Sequence, residues 1–405
     1  MSKTSAGQDR KGVYLIVLAR SLRSFSFGYM NVVIPIYFAK LGIGALGIGL
    51  IFTGAAASSA LAMLFMSYLG DAYGKKKLLI ILSMLMSLSG VLYYVTGSFE
   101  GLALAAIFGG VGGGGGGGAG GGPFAPLQNA WLAEKTGDED RTRYISLAST
   151  AGSLSSAFGS LLGFLPAAVG LPGFRVLFAL TAGLGLSQAL VLAAASEKKA
   201  HGRAAVNVAV KRNAGLIAKF SLAGVFSGLG AGLVAPFFPY WFYVRYGVDL
   251  DKLTPLFFTS SLVNAASYPV AARLARSRGS INVITVTRLA GVGALAVLPL
   301  APTFLLASAV YVARGVLNGM GLPIRQSYSL AVVDEDARAT SQGVSGISRR
   351  ASSVAGPAIT GYLMEYVSSS LPLFLSSALL GANALLYYAF FRDLRPPEER
   401  GGGSR

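Results

Sequence analysis

The sequence predicts an all-α membrane protein with twelve transmembrane helices in two pseudo-symmetric six-helix bundles. Three observations support this prediction. Hydrophobic residues make up 53% of the chain and charged residues only 13%, whereas a soluble domain has about a quarter of its residues charged. Apolar windows long enough to cross a bilayer recur along the whole chain. Because a backbone in lipid must satisfy its own hydrogen bonds, these windows are expected to be helices.

The predicted spans follow one another with short connections. They are 13–39, 43–69, 77–97, 101–133, 144–170, 173–195, 214–244, 252–272, 280–301, 303–332, 342–367 and 371–391.

The basic residues are distributed unevenly between the connecting segments. Of the 34 lysines and arginines, the segments on one side of the spans hold 22 and those on the other side hold four. This is the asymmetry of the positive-inside rule, which predicts that both termini are cytoplasmic. It also accounts for most of the net charge of +17 without a nucleic-acid partner. We therefore expect a multi-pass protein of the cell (inner or plasma) membrane, surrounded by the lipid bilayer.

A charged stretch at 196–213 divides the spans into six and six. It predicts an N-terminal bundle at 1–195, a cytoplasmic linker at 196–213 and a C-terminal bundle at 214–405. The two halves also resemble each other. The repeated segments are PLQNAWLAEKTGDEDR (126–141) with PIRQSYSLAVVDEDAR (323–338), and IPIYF (34–38) with FPYWF (238–242). Such internal symmetry is typical of transporters whose site lies near the midplane between two repeats.

The turn after the second span, SYLGDAYGKKK (67–77), resembles the loop motif of the major facilitator superfamily (MFS). Ser67 and Ala72 depart from the motif, and the second-half turn at 272–279 keeps Gly279 but has Arg276 in place of the acidic residue. The matching residues are Asp71, Gly74, Lys75 and Lys76.

The resemblance implies a prokaryotic transporter similar to drug or anion carriers of the superfamily. It also implies that Asp71 lies near the N-terminus of the eleventh helix, where a carboxylate interacts favourably with the helix dipole, and that the motif helps to close a cytoplasmic gate. An ordinary helix-capping role for Asp71 is the alternative.

The fourth span contains the glycine-rich run IFGGVGGGGGGGAGGGPFAP. Small residues let membrane helices approach closely, so close packing or bending is one interpretation and a locally broken helix is the other. The run fits a G-x-G-x-x-G pattern, but no strand precedes it, so nucleotide binding is not indicated.

Eight basic residues fall inside predicted spans, and no Asp or Glu lies well inside any span. An unpaired buried charge is strongly unfavourable, so these side chains either reach water or headgroups or meet an anion. Arg288, Arg350 and Lys219 lack a clear polar face, which favours snorkelling or structural bonding for them. The eight are Arg20, Arg23, Lys219, Arg288, Arg314, Arg325, Arg349 and Arg350.

Polar faces of the first, tenth and eleventh spans carry the remaining arginines, at 100° of rotation per residue. Gln128 and Asn129 occupy the repeat positions that match Arg325 and Gln326. By analogy with the family, these faces line a central cavity. The predicted substrate-binding residues are Arg20, Arg23, Phe27, Asn31, Gln128, Asn129, Arg325, Gln326 and Arg349.

The leading hypothesis is a secondary active or facilitative transporter that works by alternating access. Its electropositive cavity suits a small anionic solute, because the guanidinium fork binds carboxylate or phosphate. The alternative is a broad-specificity efflux carrier for amphipathic compounds, and a receptor that has lost transport is a third class. The sequence lacks a nucleophile and base pair, a metal-ligand cluster and cysteine, so we expect no enzymatic activity, cofactor or metal. We expect a monomer.

Overall fold

The structure is a computed structural model that describes residues 3–110, 123–136, 138–196, 213–334 and 338–394. All regular secondary structure in these residues is helical. The central part of the glycine-rich run (111–122) and most of the predicted linker lie outside the described residues. The two interpretations of the run therefore stay open.

The helices are numbered here in chain order, and the first eight belong to the first half of the chain. They are α1 (Lys3–Lys40), α2 (Ala45–Tyr73), α3 (Lys75–Val95), α4 (Phe99–Gly109), α5 (Phe124–Lys135), α6 (Asp138–Ser160), α7 (Phe164–Val169) and α8 (Leu171–Ala194).

The second half begins with α9. Its helices are α9 (Ala214–Val234), α10 (Phe238–Tyr246), α11 (Leu250–Arg278), α12 (Ser280–Val297), α13 (Phe304–Ala331), α14 (Arg338–Ser353), α15 (Gly356–Tyr366) and α16 (Leu371–Phe391). Short 3-10 turns precede α7 and α10 and follow α12.

Eight helical segments among the described residues are long and apolar enough to cross a membrane. The all-α membrane fold is therefore confirmed, and the predicted count of twelve spans is consistent with these segments without being established by them. The eight are Ala45–Phe65, Lys75–Val95, Arg143–Val169, Leu171–Ala194, Ala214–Tyr246, Ser280–Leu300, Phe304–Gly321 and Leu371–Phe391.

The chain forms two compact units. Unit 1 comprises Met1–His201 and Ala235–Ser261, and unit 2 comprises Gly202–Val234 and Leu262–Arg405. In unit 1, α1 packs against α6 and α8, and α3 packs against α8. In unit 2, α9 packs against α14 and α16, and α12 packs against α16. The same helix pairs recur in the same order, whereas the predicted domain boundaries stay a prediction.

Close helix contacts recur at equivalent positions of the two units. A Cβ atom on Gly28 of α1 would meet the Ser156 backbone of α6 and would lie 2.9 Å from the Ser160 nitrogen. A Cβ on Gly232 of α9 would lie 2.5 Å from the carbonyl oxygen of Ser353 on α14. Gly28 and Gly232 stand at equal distances before the motifs IPIYF (34–38) and FPYWF (238–242). Ser156 and Ser353 stand at equal distances after the repeated segments 126–141 and 323–338. Glycine is thus needed where the backbones of two membrane helices touch.

The two loop turns also share a backbone conformation. Gly74 has φ +91° between α2 and α3, and Gly279 has φ +80° between α11 and α12. Residues with a side chain rarely adopt this left-handed region. Gly74 in the loop motif and Gly279 in its second-half counterpart are therefore required to be glycine for the same structural reason.

Candidate functional site

Two arginines of α1 are buried in unit 1. Arg20 and Arg23 are each 4% exposed, and a spacing of three residues places them on one face of the helix. Among the described residues, the Nε atoms of both guanidinium groups have no hydrogen-bond partner. We call Arg20 and Arg23 the arginine pair.

Arg20 contacts α5, which follows the glycine-rich run. Its Nη1 donates a 2.9 Å hydrogen bond to Oδ1 of Asn129. The adjacent Gln128 is fully buried and donates from Nε2 to the Ile16 carbonyl oxygen at 2.6 Å. Two residues singled out through the repeat, Gln128 and Asn129, are therefore placed against α1 beside Arg20.

Arg23 lies between two aromatic rings. Its guanidinium carbon is 4.8 Å from the ring centroid of Phe27 and 4.8 Å from that of Phe124. Its Nη1 is 3.6 Å from the sulfur of Met86. A cation over an aromatic face is stabilised by the ring quadrupole, by about 2 kcal/mol when desolvated. Asn31, predicted on the same face of α1, is exposed.

Phe124 and Met86 were not predicted, because each follows an ordinary apolar pattern in its own helix. Gln188 of α8 was missed too, although an amide in an apolar span was an available signal. Gln188 is fully buried and donates from Nε2 to the Ala19 carbonyl oxygen at 3.1 Å. The Oε1 atoms of Gln128 and Gln188 are buried and have no partner among the described residues.

Unit 2 contains a second set of arginines, beginning with Arg288 of α12. Its Nη1 donates to Oδ1 of Asn383 on α16, and its guanidinium carbon is 5.6 Å from the ring centroid of Tyr387. Asn383 in turn donates from Nδ2 to the carbonyl oxygen of Ala223 on α9. Arg288 is thus held by a side chain that itself bridges two helices.

Arg325 of α13 and Arg349 of α14 belong to the same unit as Arg288, and α13 packs against α12. Arg349 packs against α9, where a Cβ on Gly224 would lie 3.7 Å from its own Cβ. Arg288 and Arg325 are half-buried and Arg349 is exposed. We call Arg288, Arg325 and Arg349 the arginine cluster.

The predictions made for Gln326 and Arg288 are answered only in part by the structure. The side chain of Gln326, the neighbour of Arg325, lies outside the described residues. Sequence reasoning favoured snorkelling or structural bonding for Arg288, since no polar face surrounds it. The hydrogen bond from Arg288 to Asn383 of α16 fits the structural-bonding alternative.

Within the described part of the chain, no carboxylate forms an ion pair with the arginine pair or the arginine cluster. Described ion pairs occur elsewhere: Lys40 with Asp249, Lys75 with Glu134 and Arg392 with Asp393. The described residues also include no group of three or more His, Cys, Asp and Glu side chains able to hold a metal ion.

The basic residues of the loop motif join three helices of unit 1. Lys75 at the start of α3 forms an ion pair with Glu134 of α5. Lys76 donates from Nζ to the carbonyl oxygen of Ala193 on α8 at 2.7 Å. Asp71 lies in α2, and its side chain is outside the described residues. The gating role of the motif stays a prediction.

Both arginine sites have the chemistry of an anion site. Guanidinium groups present planar donors that match carboxylate and phosphate oxygens, and hydrogen bonds to charged groups are about twice as strong as neutral ones. Each site also contains amides that orient the cations and rings that flank them. Helices, not loops, carry all of these groups.

Two repeated helical units with cationic groups on membrane helices form the architecture that repeat-built transporters share. The family model described as Major Facilitator Superfamily matches residues 16–354 and 220–405. The chain therefore belongs to the Major Facilitator Superfamily.

Solved structures of transporters share this fold. A bacterial homologue of the human lysosomal transporter Spinster, in an inward-facing and unoccupied conformation, superposes with a TM-score of 0.71 at 16% identity, covering 97% of this chain and 98% of that one. A variant of the nucleoside transporter NupG superposes with a TM-score of 0.75 at 12% identity, covering 94% of this chain and 100% of that one. At these identities the likeness shows the fold alone.

One curated relative is matched in part. The uncharacterised membrane protein YJR124C of Saccharomyces cerevisiae is 23% identical over 141 residues, which is 35% of this chain and 31% of that protein. The match thus spans about a third of the length of that relative. The name of that relative states a membrane location and no activity.

Proposed function

We propose that the protein is a secondary active or facilitative transporter that works by alternating access and carries a small anionic solute. The observation that supports this proposal is the set of cationic side chains on membrane helices with no described carboxylate paired to them. Arg20 and Arg23 are 4% exposed. Removing a charge from water costs several kcal/mol unless a counter-charge meets it. A visiting anion supplies that counter-charge.

The geometry favours binding over snorkelling for the arginine pair. Arg20 bonds to an amide of another helix, and Arg23 lies between the rings of Phe27 and Phe124. A side chain that snorkels places its charged end at the interface, whereas Arg20 and Arg23 are each only 4% exposed. Their buried Nε–H groups have no hydrogen-bond partner among the described residues, and a bound anion would satisfy them.

The membrane potential makes one direction of anion transport more favourable than the other. An anion that leaves a cell with an inside-negative potential gains about 2.3 kcal/mol per charge per 100 mV. No Asp or Glu lies well inside a predicted span to couple transport to protons. Export or anion exchange therefore fits the charge pattern better than proton-driven import. The protein is proposed to act as a monomer in the cell membrane, with both termini in the cytoplasm.

Reconstituted transport tests this proposal. Purified protein in liposomes is assayed with radiolabelled lactate, phosphate and an organic cation such as tetraphenylphosphonium, with a valinomycin-set potential. Uptake of an anion that responds to voltage, with no cation uptake, is expected. Transport of the cation alone, with every anion ignored, would refute the anion assignment.

A broad-specificity efflux carrier for amphipathic compounds is the second candidate, and the rings around Arg23 favour it. Combined Arg23→Gln and Arg325→Gln substitutions separate the two. An exporter that recognises apolar surface keeps part of its activity because the rings remain, whereas an anion carrier loses recognition. Lys219→Gln is the matched control, since Lys219 is an exposed cation of α9.

A further inference from the structure

A groove of about 480 Å³ lies between α3 and α8 of unit 1. Both helices belong to the segments that are long and apolar enough to cross a membrane. Ser87 of α3 lines the groove and is 6% exposed, and the other lining side chains are apolar. A contiguous exposed apolar surface marks a site for a membrane lipid or for another protein. The lining residues that are 42–49% exposed are Ile81, Met84, Leu88, Val91 and Leu186.

Close contact between the two helix backbones fixes the groove. A Cβ atom on Gly185 of α8 would lie 2.6 Å from the Ser87 nitrogen, and a Cβ on Gly90 of α3 would lie 2.5 Å from the Ala182 nitrogen. Small residues let membrane helices approach this closely. The larger side chains beside the contact stand apart and form the walls, so the groove exists before any ligand enters it.

The groove has the length of an acyl chain in one leaflet. Its lining residues on α3 run from Ile80 to Val91, which is about 17 Å at a rise of about 1.5 Å per residue. The hydrocarbon core of a bilayer is about 30 Å thick, so one leaflet is about 15 Å deep. An acyl chain that enters from the loop-motif end of α3 therefore reaches along the whole groove.

Lysines lie at the loop-motif end of the same face. A rotation of 100° per residue places Lys77 within about 80° of the exposed residues of α3 that line the groove. Lys77 is exposed and forms no ion pair in the part of the chain that the structure describes. Lys76 donates from Nζ to the carbonyl oxygen of Ala193 near the end of α8, so its ammonium group lies where α3 and α8 meet. A negative headgroup at this end would meet cations while its chain meets apolar side chains.

The equivalent face of unit 2 has no cation at the matching position. Counted from the loop glycines that the two halves share, Asn282 stands where Lys77 does, and Leu289 stands where Met84 does. Met84 is 49% exposed and Leu289 is 39% exposed. The two units thus present apolar surface at the same helix position, and unit 1 adds the lysine.

We propose that the groove between α3 and α8 holds one acyl chain of an anionic phospholipid, such as phosphatidylglycerol, whose headgroup lies on Lys77 beside Lys76. This lipid is a bound component of the protein in the membrane and not the transported solute, so the inference does not depend on the proposed function. A zwitterionic lipid has the same chains, but its headgroup has no net charge. A lysine at the membrane surface strengthens binding to an anionic lipid about fivefold, so the headgroup charge decides which lipid is held.

Fluorescence quenching in vesicles tests this site. The chain contains no cysteine, so Met84→Cys supplies a single thiol at the groove for a bimane label, and Leu289→Cys supplies one at the matched face of unit 2. The full chain is reconstituted in phosphatidylcholine vesicles with increasing amounts of phosphatidylglycerol, phosphatidylethanolamine or phosphatidylcholine whose acyl chains are brominated and quench on contact. We expect brominated phosphatidylglycerol to bind at the groove about fivefold more tightly than the two zwitterionic lipids, and all three to bind equally at Leu289.

Substitution of the lysine assigns the preference to the headgroup. In the Met84→Cys protein, Lys77→Gln should remove the preference for phosphatidylglycerol, and Lys77→Arg should retain it because the charge remains. Lys219→Gln, at an exposed cation of α9, should change nothing. Unlabelled protein gives an independent reading, since a ligand of the folded state stabilises it. Added phosphatidylglycerol should raise the melting temperature of the unsubstituted protein in detergent and raise that of Lys77→Gln less.

Three outcomes would overturn the inference. Equal quenching by the three lipids at the groove would show that no anionic lipid is preferred. A preference that survives Lys77→Gln would show that this lysine does not bind the headgroup. Absence of quenching by every lipid, with elution of the protein as a dimer, would assign the groove to a second copy of the chain. Anion transport in the reconstituted assay is measured separately and stands or falls independently of all three.

Discussion

Gln188 of α8 donates a 3.1 Å hydrogen bond to the carbonyl oxygen of Ala19 on α1. Its counterpart in unit 2 is the bond from Asn383 of α16 to the carbonyl oxygen of Ala223 on α9. Ala19 and Ala223 stand at equal distances before the two proline-containing motifs. In each half of the chain, an amide of the last helix (α8 or α16) thus bonds to the first helix (α1 or α9) at the same position. In lipid, such a bond has no water to compete with it.

The two amides are expected to differ in their contribution to stability. Gln188→Leu removes one hydrogen bond, worth about 1 kcal/mol. Asn383→Leu also removes the acceptor of Arg288 and should cost about 2–4 kcal/mol, since hydrogen bonds to charged groups are stronger. Thermal unfolding in detergent measures both variants. Equal losses for the two would show that the Arg288 bond does not stabilise unit 2.

Replacing Arg23 is predicted to separate stability from transport. Arg23→Met removes a buried cation with no described carboxylate and keeps an apolar chain between Phe27 and Phe124. Such replacements are often neutral or stabilising by about 1–4 kcal/mol, here reduced by the lost cation–π contacts. The melting temperature should hold or rise while anion uptake falls at least about tenfold. A variant that unfolds more easily and still transports would assign Arg23 a structural role.

The Lys75–Glu134 pair is predicted to be a structural link of unit 1. The side chain of Lys75 is 11% exposed and that of Glu134 is 33% exposed. Glu134→Gln removes this ion pair and should cost about 1–3 kcal/mol, since hydrogen bonds between charged groups contribute about that much. Because each single variant already loses the contact between Lys75 and Glu134, the double variant should be more stable than additivity predicts. A double-mutant cycle of unfolding free energies measures this coupling, and a coupling near zero would contradict it.

Close packing at the two glycines gives a matched pair of predictions. Gly28→Ala and Gly232→Ala should each destabilise the fold by about 1–3 kcal/mol, because the added methyl group meets backbone atoms that have little room to move. Gly183 of α8 and Gly293 of α12 are the controls, since a Cβ there meets nothing within 4 Å. Alanine at these controls should be neutral or slightly stabilising. Melting temperatures of the four variants test the repeat in both units at once.

Much of the fold follows from local properties of the sequence. Long apolar windows must be helical in lipid, and the loop glycines Gly74 and Gly279, which the two halves share, both adopt a positive φ. The match between the repeated segments 126–141 and 323–338 also identified Gln128 and Asn129. Helix packing places both residues against α1. These features depend on residues near one another in the chain or on a simple offset between the halves.

The sequence by itself determined the membrane class, the helical repeat and the presence of cations that lack nearby carboxylates. Tertiary structure alone decided which partners meet those cations: Phe124 and Met86 at Arg23, and Asn383 and Tyr387 at Arg288. The physical reason is that a helix position specifies a face and a depth, whereas a binding site requires side chains from several helices at one depth. Arg288 lacks a clear polar face along α12, so its contacts with Asn383 and Tyr387 exist only once α12 and α16 are packed.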